Sequence, residues 1–220
     1  IERDEHRLRT TYVPQAPRLP RMASVGSSMA RRLRMAHTHL AGGGRVRQCS
    51  GLAGNPLMAS REMPQFRAIT AEHVEPAISA LLAEQDRAIE ALEAHVDQLG
   101  NSVAYDDVFV PLEQLLHPLS YAFGLVGHLM AVANSEELRA AHAAVQPAVV
   151  ASSSRVAQSI PLYRAMKAVA NSHGDLDSGQ LRAVESAIRD AELGGVALEG
   201  NEKERFNQIK QRLAELSTTF

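Results

Sequence analysis

Eight apolar residues, Val108, Leu112, Leu115, Leu119, Ala122, Val126, Leu129 and Ala133, step along the chain by four and three without a fault. An α-helix brings residues at that spacing onto one face, and the run sustains a heptad seam nearly four repeats long. Full burial of a large apolar side chain contributes roughly 1.5–3 kcal/mol, whereas intrinsic helix preferences separate most residue types by less than about 0.7 kcal/mol. Packing of the seam therefore decides where this helix lies. Pro111 and Pro118 fall off the seam and are expected to bend the helix rather than end it.

The same spacing organises the rest of residues 55–220. Residues 55–67, with Pro56 and Pro64, read as an extended linker lying across the bundle. Thr70 caps a helix that Pro76 is expected to bend or restart, with Ile78, Leu81, Leu82, Ile89, Leu92, Val96 and Leu99 as its stripe and Gly100-Asn101 as its stop. Asn134 and Glu137 are placed as a capping box for a third helix, whose inward residues are Leu138, Ala141, Val145, Val149 and Val156. A break near residues 159–161 opens a short helix over residues 162–170, closed by Asn171 and Gly174. Asp177 or Ser178 caps the next, in which Leu181, Val184, Ile188 and Ala191 lead to the Gly194-Gly195 stop. The final helix carries Phe206, Ile209, Leu213, Leu216 and Phe220 at three and four, a seam that faces a partner. Leu213→Asp is accordingly expected to damage packing far more than Lys210→Asp. With no strand pattern and no fixed-period repeat, the fold class is all-α: an antiparallel bundle of five or six helices preceded by a disordered basic leader.

Charge divides the chain in two. Residues 1–61 hold eleven Arg and three acidic residues, while residues 62–220 hold twelve Lys or Arg and twenty-two Asp or Glu, so the overall −2 conceals opposite halves. Residues 1–54 are Arg-rich, contain Ser and, from His6 onward, lack acids, which fits an organellar transit peptide better than a secretory signal. Met29, Leu33, Ala36 and Leu40 would line one face of a short basic helix there, opposite Arg31, Arg32 and Arg34. A disordered basic tail is the plainer alternative, and nucleic-acid binding is disfavoured because a single aromatic, Tyr12, lies among the arginines. The one cysteine, Cys49, precludes an internal disulfide or a Cys-based zinc site in residues 55–220. No uninterrupted apolar run approaches the eighteen or so residues of a membrane span, so no span is expected.

NPLM at 55–58, ITAEHVEPAI at 69–78, NSEELR at 134–139, LGGVAL at 193–198 and the closing LAELSTTF agree together in order and spacing. In that wording, from about Asn55 onward, the chain resembles the amino-terminal region of the thimet oligopeptidase and oligopeptidase A family of zinc metallopeptidases. The resemblance implies a helical domain that walls the channel of an enzyme hydrolysing short peptides by zinc-activated water, soluble, in a chloroplast or mitochondrion. It implies two partners, the catalytic domain of the same polypeptide and short peptide substrates. Zinc is expected in that missing catalytic domain and no cofactor in this chain. The rival reading is a non-catalytic helical module that binds peptides or a partner helix.

The family's chemistry needs His-Glu-x-x-His on a helix, two His holding zinc and the Glu activating its water. None of the nine histidines is followed by Glu. His37-x-His39 is a poor zinc pair, and His128, beside the seam, reads as a hydrogen-bonded structural histidine. Ser152–Ser154 lies mid-helix with no positioned base. Asp106-Asp107 and Glu136-Glu137 sit at helix starts, where capping explains them, and the glycines at 42–44 and 194–195 lack the flanking pattern of a phosphate loop. No catalytic, cofactor-binding or metal residue is assigned.

Overall fold

The computed structural model describes residues 52, 54–59, 63–172 and 176–219. The chain divides into two units, Ile1–Arg47 and Gln48–Phe220, and every described residue belongs to the second. The expected leader helix, His37, His39, the glycines at 42–44, Cys49, Gly174 and Phe220 lie outside the described residues.

Among the described residues six α-helices follow in order: α1 Val74–Leu99, α2 Tyr105–Val132, α3 Glu136–Ala157, α4 Ile160–Asn171, α5 Ser178–Leu193 and α6 Gly200–Thr219. Among the described residues there is no strand. Short connections set α1 beside α2, α2 beside α3 and α4 beside α5, as in an antiparallel bundle. α1 is the hub, packing on α2, α3 and α4, while α5 packs on α4 and α6 on α3.

Helix starts follow side-chain chemistry. Thr70 precedes a 3-10 turn, Ala71–His73, and its hydroxyl and backbone N–H meet His73 Nδ1 at 3.0 and 3.1 Å. That turn runs directly into α1, so Pro76 falls in the first turn of the α-helix, where its missing N–H has no partner to lose, and no restart occurs. α3 departs from expectation by one residue. Its cap is Ser135, whose Oγ accepts from the Leu138 N–H at 3.2 Å, while Asn134 Oδ1 accepts instead from Arg139 at 3.0 Å. Adjacent Asn and Ser are equally good caps, and the side chain three residues before a free N–H takes the role. α5 is capped by Asp177, which accepts from the Gly179 and Gln180 N–H groups at 2.7 and 2.8 Å.

Two apolar clusters share α1 and α2. One gathers Leu57, Val74, Ala77, Ile78 and Leu81 with Leu119, Ala122, Leu125, Val126, Leu129, Leu138 and Val145. The other gathers Leu92, Val96, Val103 and Val108 with Leu162, Ala165, Met166, Val169 and Val184. The seam of α2 is thus mostly internal, although Leu112 and Leu115 are only half-buried and Ala133 is exposed just beyond the helix. α2 runs unbroken through Pro111 and Pro118. By length and composition it is also apolar enough to cross a membrane, contrary to the expectation of no span-length segment. Its buried residues are core of both clusters, the pattern of a central bundle helix.

Residues 55–67 are not simply extended. They contain the 3-10 turn Pro56–Met58 and enter a second, Phe66–Ala68. Asn55 Oδ1 accepts from the Leu57 N–H at 3.0 Å and its Nδ2 donates to the His73 carbonyl at 2.9 Å. That clasp drives Leu57 into the first cluster at 0% exposure.

Candidate functional site

The carboxylate pairs are helix-start devices. Asp107 Oδ2 accepts from the Ala104 N–H at 2.9 Å. The Glu137 carboxyl lies below its ordinary range, held there first by a backbone hydrogen bond and then by Ser135. Ser152 is buried and accepts from Gln85 Nε2 at 2.9 Å, a polar pair linking α3 to α1. His128 is exposed and lies tilted against the Phe66 ring at 5.2 Å, a ring contact in place of the expected structural hydrogen bond. His142, which carried no signal, is the buried histidine: it is stacked on Phe123 at 4.8 Å, its Nδ1 lacks a hydrogen-bond partner, and burial lowers its pKa. Among the described residues, no group of three or more His, Cys, Asp and Glu could hold a metal ion.

A cleft of about 490 Å³ opens where α3, α4 and α6 meet α1, lined among others by Glu93, Arg155, Gln158, Ser159, Lys203 and Asn207. Ser159 Oγ donates to Glu93 Oε1 at 2.6 Å. Arg155 Nη2 approaches Glu93 Oε2 at 3.4 Å and Glu90 Oε1 at 3.9 Å. Gln158 Nε2 donates to the Gly194 carbonyl at 3.0 Å and to Asn207 Oδ1 at 2.8 Å. These groups join helices to one another. The one hydroxyl beside a carboxylate, Ser159 on Glu93, is committed to structure: Ser159 Oγ also accepts from the Leu162 N–H at 3.3 Å as the cap of α4, and Glu93 is paired with Arg155.

The distinctive surface is the far side of α6. Gln146 on α3 donates to the Ala214 carbonyl at 3.1 Å and to Thr218 Oγ1 at 2.8 Å, and Gln158 holds Asn207 near the helix start. Asn207, Gln211, Ala214 and Thr218 share one helical face, and the apolar seam falls opposite. Phe206 is half-buried, but Ile209, Leu213 and Leu216 are 45%, 61% and 41% exposed. Phe206 packs toward Gly195, but Ile209, Leu213 and Leu216 lie largely outside the chain's own packing, which overturns the expected fragility of Leu213.

The family model of the neurolysin/thimet oligopeptidase N-terminal domain matches residues 78–203. The chain is 39% identical, over 77% of its own length and 24% of the relative's, to the Arabidopsis thaliana protein named "Probable cytosolic oligopeptidase A". It is 37% identical, over 77% of its length and 21% of the relative's, to the Arabidopsis thaliana "Organellar oligopeptidase A, chloroplastic/mitochondrial". The Escherichia coli oligopeptidase A is 32% identical over 76% of this chain and 24% of that protein. The chain thus spans about a quarter of the length of these relatives.

Proposed function

Because the chain belongs to the neurolysin/thimet oligopeptidase family, matching its N-terminal domain, we propose that it is the helical front of a zinc oligopeptidase. It walls the channel by which short peptides reach a catalytic domain. One observation carries this reading: the match takes in most of this chain yet only 24% of an oligopeptidase A. The described residues do not fit a zinc ion. No His-Glu pair occurs in the sequence, and no ligand cluster occurs among the described residues. Zinc and its water-activating Glu belong, on this reading, to sequence outside the chain. The leader's composition and the organellar relative support a chloroplast or mitochondrial setting, and the cytosolic relative is the competing address.

The rival function, a stand-alone helical module without catalysis, draws on the same exposed stripe of α6. A chimera separates the two. Residues 55–220 replace the matching part of the Escherichia coli oligopeptidase A, and a short fluorogenic peptide reports hydrolysis. The chimera is expected to cleave it while the 220-residue chain does not. A folded but inert chimera overturns the proposal.

A further inference from the structure

In heptad terms, α6 places Phe206 and Leu213 at one seam position and Ile209 and Leu216 at the other. Arg205 and Arg212 flank that seam on one side, and Lys203 and Lys210 on the other. These four are all basic, in a body that is otherwise acidic, and the two rows continue into the uncharged Thr219 and Ser217. Arg205 and Arg212 are exposed, and Lys210 Nζ lies 5.7 Å over the Phe206 ring at the seam's edge. Glu215 pairs with Arg212 at 3.0 Å but sits behind it, away from the seam, and an exposed pair at this spacing contributes little.

The charges select the occupant. A second copy laid parallel on the seam would set Arg205 against Lys210, and an antiparallel copy would set Arg against Arg and Lys against Lys. Like charges at these positions disfavour pairing. The chain's own leader, with ten Arg and three acidic residues over residues 1–54, carries charge of the same sign and is the wrong complement for these groups. An apolar helix edged with Asp and Glu meets both the seam and its flanks.

We propose that the outward face of α6 docks an amphipathic helix whose apolar stripe is flanked by Asp and Glu, supplied by the same polypeptide. The source rests on the reading of this chain as the front of an oligopeptidase, about three quarters of whose length lies elsewhere. The charge rule rests on α6 alone.

The test uses the whole 220-residue chain and two synthetic helical peptides that share a leucine stripe and carry either Glu or Lys at the flanking positions. Fluorescence anisotropy at low salt is expected to show the Glu peptide binding about tenfold tighter or more, several weak ion pairs together, and weakening as salt rises. Leu213→Asp, at an exposed position, is expected to abolish that binding with unchanged circular dichroism. Combined Arg205→Glu, Lys210→Glu and Arg212→Glu reverses the preference. Equal binding of both peptides, binding of neither, or sedimentation of the chain as a dimer lost in Leu213→Asp overturns the proposal. In the chimera, a photoreactive group on Leu213→Cys is expected to cross-link within the same polypeptide, and cross-links to other proteins alone overturn the source. An inert chimera beside charge-selective binding defeats the oligopeptidase reading only. An active chimera without selectivity defeats the docking rule only.

Discussion

Gln146 and Thr218 exchange hydrogen bonds at 2.8 and 3.1 Å across α3 and α6. Amide and hydroxyl groups therefore tie down the last helix alongside the half-buried Phe206, and the face it turns to α3 is largely its polar one. Gln158 repeats the device at the other end, buried and bonded to both Gly194 and Asn207. Loss of a buried polar partner costs about 1–3 kcal/mol. Gln158→Ala is expected to lower stability by about that amount and to speed amide hydrogen exchange through α6. Unchanged exchange in α6 would mean that something else holds it.

Leu213→Asp is expected to change the stability of this chain by less than about 0.5 kcal/mol, as surface substitutions do. Lys210→Asp, which removes a cation from the Phe206 ring, is expected to cost at least as much. Urea unfolding of the two variants checks the order. A large loss in Leu213→Asp alone would place the seam inside the chain after all.

Leu57→Ala is expected to be among the most damaging substitutions, at about 2–5 kcal/mol, because it empties a fully buried site. Asn55→Ala should follow in the same direction by removing the clasp that aims Leu57 inward. Thermal denaturation of both variants measures this. Wild-type stability in Leu57→Ala would show that the NPLM segment does not anchor the bundle.

Burial lowers the pKa of His142 from its ordinary 6.5. As pH falls below 6.5 the unfolded chain takes up the proton first, so the stability associated with neutral His142 is complete above 6.5 and declines until pH passes the folded-state value. Denaturation midpoints across that range are expected to fall, and His142→Leu to flatten the decline. An equal slope in the variant would assign the pH dependence to other groups.

The helices were legible because each buries a stripe at three- and four-residue spacing. Ile78, Leu81, Ile89, Leu92 and Val96 are all buried, as their spacing demands. The bonds that orient the helices were not legible. Gln85 to Ser152 and Gln146 to Thr218 are separated by 67 and 72 residues, and a glutamine facing a helix gives the same local signal as one facing water. The same gap inverted the reading of Leu213: spacing reveals an apolar face but not which neighbour covers it. At α3 the choice between Asn134 and Ser135 turned on one residue of register. The buried His142 had no precursor in the pattern, since an isolated histidine reads alike in core and surface. The absence of His-Glu is plain in the sequence, because a catalytic motif is local in a way that packing is not.

The central claim is that this chain is the front of a zinc oligopeptidase, and reading the transcript past the codon for Phe220 tests it most directly. The account predicts an open frame that continues into a His-Glu-x-x-His helix. A stop codon directly after Phe220 would contradict it.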